Sequence, residues 1–150
     1  MVKKEISLVK AYMKDWQKIL EFEKASKSKL YSNFETEKEI KKYLEKSRIY
    51  FVKFGKQIIG TTSYKTDNNS ACIDGLIISP EQRGKGYAKI VIHLILEKIK
   101  NYKKAYLMVH PQNSTAIIIY LKEGFKITKW KNNYFDDNEP RLLLEKELLE

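Results

Sequence analysis

The stretch Ile77-Ile78-Ser79-Pro80-Glu81-Gln82-Arg83-Gly84-Lys85-Gly86-Tyr87-Ala88 decides how this 150-residue chain folds. An apolar β run ends at Ser79. Pro80 and two glycines then make a turn, and a helical pattern starts at Tyr87. The first N–H groups of a helix lack intrahelical acceptors, and the macrodipole adds partial positive charge there. Glycine lets the backbone take φ > 0 and approach a ligand closely. A strand, glycine turn and helix in this order therefore form a main-chain cradle for an anion, phosphate above all. Arg83 and Lys85 add full charges at its mouth. The segment is not a P-loop, since Gly-Lys-Ser/Thr occurs nowhere in the chain. It also lacks the third glycine of a dinucleotide fingerprint, and a hairpin rather than a βαβ unit precedes it.

Outward from the turn, the period of the apolar residues assigns the other elements. Upstream, Arg48–Phe54 and Gln57–Tyr64 alternate as two strands of a hairpin joined at Gly55-Lys56. Asp67–Ser70 is a second turn, and Ala71–Ser79 is apolar enough for a central strand. Downstream, Tyr87–Lys100 is a helix whose Ile90, Val91, Ile92, Leu94, Ile95, Leu96 and Ile99 predict burial on both flanks. Ala105–His110 is a strand ended by Pro111, and Ser114–Glu123 is a helix closed by Gly124. Phe125–Trp130 and Arg141–Glu147 are strands around the loop Lys131–Pro140. At the other end, Glu5–Tyr12 reads as a strand, and a helix begins after Asp15 through Trp16, Ile19, Leu20 and Phe22. A Ser-rich loop, Lys24–Asn33, leads to a second helix that Thr36 caps, with Glu39 completing a capping box. The order β-α-α-β-β-β-α-β-α-β-β, without repeat or linker, predicts one α/β domain over residues 1–150.

Composition narrows the function. Hydrophobic residues at 43% exclude a disordered chain, and no apolar run reaches the length of about 18 residues that spans a bilayer. Met1-Val2-Lys3-Lys4-Glu5 lacks the apolar stretch of a secretory leader, so a cytoplasmic location is expected. Cys72 is the single cysteine and there are two histidines, so neither an internal disulfide nor a metal site is expected. The 29 Lys and Arg exceed 19 Asp and Glu, a formal net charge of +10. The lysines are scattered and interleaved with Glu, with no nucleic-acid-binding pattern beside them. They read as a solvated surface that favours a polyanionic small ligand.

Two motifs then carry a resemblance. Arg83-x-x-Gly86-x-Ala88 resembles the acyl-CoA signature of the Gcn5-related N-acetyltransferase (GNAT) superfamily. Downstream, Asn113-x-x-Ala116-x-x-Ile119-Tyr120-x-Lys122-x-Gly124-Phe125 resembles the second cofactor motif of that family. The element order resembles it across nearly the whole chain, which implies a mixed, mostly antiparallel sheet flanked by helices. The implied activity is transfer of an acetyl group from acetyl-CoA to a primary amine, by direct attack in a ternary complex.

The resemblance also implies roles. Main-chain amides of Arg83, Gly84, Lys85, Gly86, Tyr87 and Ala88 would hold the pyrophosphate. The backbone of Leu76, Ile77 and Ile78 would meet the pantetheine arm in a gap between strands. A strand amide near Ile78 would polarise the thioester carbonyl. Asn113 would touch the cofactor arm, cap the following helix, or do both. Tyr120 would protonate the leaving thiolate, a reasonable task for a phenol of pKa about 10; its structural alternative is packing. Cys72 stands where some relatives place a basic Glu, leaving Asp74 as a candidate base. Met108 stands where N-terminal acetylating relatives place another base, leaving His110 as a second candidate. Asn133-Tyr134-Phe135 resembles the Asn-Tyr-Tyr segment of acetyltransferases acting on ribosomal-protein N-termini. Tyr134 would then line an acceptor slot, with Tyr31 and Phe34 as its opposite wall. The acceptor this resemblance implies is a protein or peptide N-terminus. A small amine such as a polyamine, and a non-catalytic CoA-binding module, stay open as alternatives. Dimers are common among similar proteins, so a homodimer is compatible with the resemblance.

Overall fold

The computed structural model describes residues 5–149; the reading of residues 1–4 falls outside it. Alternating apolar residues build seven strands: β1 (Ile6–Lys10), β2 (Arg48–Phe54), β3 (Gln57–Asp67), β4 (Ser70–Ile78), β5 (Lys104–Val109), β6 (Lys126–Lys131) and β7 (Arg141–Glu147). Four α-helices connect them: α1 (Trp16–Ala25), α2 (Glu37–Lys46), α3 (Tyr87–Lys98) and α4 (Ser114–Lys122). The strands form one sheet in the order β1-β2-β3-β4-β5-β7-β6. Every pair is antiparallel except β4 with β5, which α3 joins as a crossover. This is the mixed, mostly antiparallel architecture expected from the sequence.

The helices cover both faces. On one, Ile92 and Ile95 of α3 and Ile99 just beyond it pack with Ile73, Ala105, Leu107 and Leu144 of the sheet, and Val91 packs with Val52, Ile59 and Ile78. On the other, Ile19 of α1 and Ile40 and Tyr43 of α2 cover Ile49 and Phe51. Each isoleucine removed from water contributes about 1.5–3 kcal/mol before entropy is counted. Thr36 caps α2 as expected, its hydroxyl accepting from the Glu39 N–H at 3.2 Å. Burial along α3 is narrower than its apolar count suggests: Ile90 is 44% exposed, while Val91, Ile92 and Ile95 are buried.

The irregularity that matters lies in β4. Ser63 of β3 pairs with Gly75 and Tyr64 pairs with Ile73, leaving Asp74 as an extra residue. Such a bulge bends its strand and re-aims the side chain.

Candidate active site

The sheet opens beside this bulge. Parallel pairing of β4 with β5 consists of Ser70–Lys104, Ala71–Ala105 and Cys72–Tyr106, and then stops. Beyond it, β4 stays bonded to β3 as far as Ile78, while β5 stays bonded to β7 as far as Val109. The facing edges, Ile73–Ile78 and residues 107–109, therefore diverge into a wedge. Backbone groups along such an edge keep unmet hydrogen-bonding capacity, which suits an extended polar chain.

At the broad end of the wedge lies the glycine turn. Gly84 and Gly86 have φ of +78° and +83°, a conformation that side chains disfavour. Gly86 is the N-cap of α3, and no side chain caps that end. A Cβ placed on either glycine would meet nothing within 4 Å, so the loop faces open space. Geometry thus leaves the helix N–H groups to a ligand, as a phosphate cradle requires. Tyr87 packs on Phe54, with ring centroids 5.2 Å apart, and Ala88 packs beside the core.

The side chains at the mouth differ from the expectation. Lys85 is exposed and its Nζ donates to Gln82 Oε1 at 3.1 Å. Arg83 does not present its charge to the cradle. Its Nε donates to the Ile78 carbonyl at 2.8 Å and its Nη2 to the Ser26 hydroxyl at 3.1 Å.

Tyr120 projects from α4 and is 5% exposed, with its ring edge-on to Phe125 at 5.3 Å. Burial pushes its phenol well above the usual value, and the nearby Cys72 and Tyr31 add to the rise. The phenol thus senses Cys72 of β4, the last residue before the strands part, and Tyr31 of the early loop. Cys72 is buried, and its thiol is pushed up to about 12, by burial first and then by the Asp74 charge. Tyr106 across from it hydrogen-bonds that thiol and senses Tyr134. Tyr31, Tyr106, Tyr120 and Tyr134 thus gather around the fork. Tyr106 escaped the sequence reading; its alternation on β5 opposite buried Ala105 and Leu107 was the available signal. Asn113 caps α4, its side chain accepting from the Ala116 N–H at 3.4 Å.

The α1/α2 side of the fork carries the carboxylates. Asp74 is exposed and accepts the Ser47 hydroxyl at 2.5 Å and the Ser63 hydroxyl at 2.6 Å, one on each oxygen. Ser63 in turn contacts the Tyr43 hydroxyl. Phe34 packs against Tyr43 with ring centroids 4.9 Å apart. His110 is 3% exposed, and its Nδ1 accepts the Gln112 N–H at 3.1 Å. The proton of the neutral ring is therefore on Nε2, 3.5 Å from the Glu139 carboxylate. In this tautomer Nε2 is a donor. The loop bearing Tyr134 is preformed: Asn133, Asp136 and Asn138 hold positive φ, and buried Arg141 bonds Asp137 at 2.7 Å. A surface groove of about 430 Å³ beside His93, Glu123 and Lys146 lies away from all these groups, and none of the chemistry above faces it.

Known proteins resemble the chain in sequence pattern and in fold. The model of the acetyltransferase (GNAT) family matches residues 9–125. No curated protein matches the chain. Among solved structures, the ribosomal-protein-S18-alanine N-acetyltransferase from Escherichia coli superimposes with a TM-score of 0.82 at 13% identity, over 97% of this chain and 96% of that one. Mutant forms of the spermidine/spermine N-acetyltransferase SpeG from Vibrio cholerae give 0.79 at 20% identity, over 95% and 94%. An IAA acetyltransferase from Bacillus cereus gives 0.78 at 19%, over 96% and 100%. At these identities the likeness establishes a shared fold, whereas the family model matches most of the sequence itself. Because that model spans well over half of the chain, the chain belongs to the acetyltransferase (GNAT) family.

Proposed function

We propose that the protein transfers the acetyl group of acetyl-CoA to the free amino terminus of a peptide, by direct attack with both substrates bound. The observation that carries this reading is the wedge, which ends at Cys72–Tyr106 within electrostatic reach of the Tyr120 phenol. Amides of residues 83–88 hold the diphosphate, and the β4 edge at Leu76–Ile78 hydrogen-bonds the pantetheine arm. An amide near Ile78 polarises the thioester carbonyl. The acceptor enters from the α1/α2 side, between Tyr31 and Phe34 on one wall and Tyr106 and Tyr134 on the other.

The amine nitrogen bonds to the carbonyl carbon, the carbon–sulfur bond breaks, and the electron pair leaves on sulfur. Tyr120 donates its proton to that thiolate, while the amine's extra proton leaves through water toward Asp74. A phenol raised by burial gives up its proton only to a strong base. The neighbouring Cys72 thiol supplies the measure: a thiolate in this environment is far more basic than in water. Donor and acceptor rise together. His110, with its proton on Nε2, is a poorer base candidate than Asp74, and Asn113 serves the arm from its capping position.

The exposed Asp74 carboxylate favours one second reading, a small cationic amine as acceptor. Incubation with acetyl-CoA and a panel of peptides and polyamines, following free thiol, separates the two. The expected result is turnover on peptides that falls about 10²–10³-fold in Tyr120→Phe, with CoA binding intact. Undiminished turnover in that variant would remove Tyr120 from the mechanism.

A further inference from the structure

The side chain of Arg83 begins a continuous path from the cradle to the acceptor wall. Ser26, which accepts from Arg83 Nη2 at 3.1 Å, lies 57 positions away and is 4% exposed. It ends α1, its N–H reaching the Phe22 and Glu23 carbonyls at 3.2 and 3.3 Å. Glu23, 6% exposed, accepts the Asn33 amide at 2.9 Å and the Phe34 N–H at 3.3 Å on the same carboxylate oxygen. Phe34 stacks against Tyr43, and Tyr43 reaches Asp74 through Ser63. Each link is a direct contact.

Burying the Ser26 hydroxyl and the Glu23 carboxylate here is costly unless each is bonded, and each finds a partner along this path, while Asn33 Oδ1 is buried without one. The segment they hold, residues 26–36, has no helix or strand. Its other ties are local: an exposed Lys27–Glu35 ion pair at 2.7 Å, turns within residues 28–31, and the Thr36 and Glu35 bonds to Glu39 at the start of α2. Segments held by local ties open at little free-energy cost, so a bond to a distant element adds to their order.

We infer that Ser26, Glu23 and Asn33 are positioning residues that make order in the acceptor wall depend on occupation of the cradle. A diphosphate that firms residues 84–88 fixes Arg83. Arg83 fixes Ser26 and the end of α1, and Glu23 then holds Asn33 and Phe34 in place. The acceptor meets a wall whose ordering cost has already been met, so the two substrates bind with positive coupling and no large displacement. This rests on the proposed reading of the cradle as the coenzyme site.

Amide hydrogen exchange of the full chain, with and without CoA, tests it in wild type, Ser26→Ala, Ser26→Thr and Asn33→Ala. In wild type, CoA slows exchange over residues 84–88 and also over 30–36, the latter about fivefold or more, the low end of ordinary coupling between sites. In Ser26→Ala and in Asn33→Ala, the protection at 84–88 persists and that at 30–36 is lost. Ser26→Thr, which keeps the hydroxyl, restores it. In turnover, both alanine variants raise the acceptor KM, while binding of CoA alone, measured without acceptor, is not weakened, a split that general loosening of the fold would not give. Protection at 30–36 that survives in the alanine variants, or that is absent in wild type while 84–88 is protected, overturns the inference alone. If CoA changes exchange nowhere, the cradle reading falls and the inference falls with it.

Discussion

At the scale of single residues, environment rather than identity decides which groups can react. Cys72 has the side chain of a nucleophile, but burial and the Asp74 charge push its thiol up to about 12. The reactive species is the thiolate, so at pH 8 only about one molecule in ten thousand carries it. Native protein should resist iodoacetamide at pH 8, with labelling rising about tenfold per pH unit as pH climbs toward 12, while urea-unfolded protein labels fully at pH 8. Stoichiometric labelling of the native form at pH 8 would contradict the buried placement. Tyr120 shares the environment but uses it differently. A phenol held above its ordinary value stays protonated across the working range, which a proton donor needs. Arg83 carries a comparable lesson. Its motif position was legible in the sequence, but its side-chain partner was not, because Ser26 is 57 positions away and no local pattern links them.

At the scale of elements, the bulge in β4 does the shaping. Gly75 follows the extra residue Asp74, and a Cβ there would overlap the Tyr43 hydroxyl and stand 2.6 Å from Ser63 Oγ. Gly75→Ala should therefore break the Tyr43–Ser63–Asp74 chain and cost about 2 kcal/mol in urea unfolding. A change below about 0.5 kcal/mol, the range of neutral surface substitutions, would show that the chain does not constrain the bulge. Regular elements were largely legible. The hairpin strand Arg48–Phe54 and the last strand Arg141–Glu147 fall where alternation puts them, since successive residues of a strand point to opposite faces of the sheet. β3 continues three residues past Tyr64, to Asp67, because β4 pairs with polar residues that alternation alone does not flag. Asp74 as a bulge residue and Tyr106 as the neighbour of Cys72 at the fork were hidden. Both depend on which strands pair and where pairing stops, facts of register rather than of composition. The tautomer of His110 was hidden likewise, being set by the Gln112 N–H that only the folded turn presents.

At the scale of the whole molecule, the sheet acts as a partition that opens between β4 and β5. α3 and α4 stand on one side with the cradle and Tyr120; α1 and α2 stand on the other with Asp74 and the aromatic wall. The opening between β4 and β5 connects the two sides. On the proposed reading the coenzyme and the amine approach from opposite faces and meet at the fork, which would align nucleophile, carbonyl and proton donor. The +10 charge suits a polyanionic co-substrate by raising its encounter rate, and the chemistry remains local. The most direct test is a backbone amide NMR titration of the full chain with CoA. The account predicts saturable shifts concentrated at residues 76–78, 84–88 and 113, with smaller ones around Tyr120. Shifts confined to scattered lysines and abolished by modest salt, or none at millimolar CoA, would contradict it.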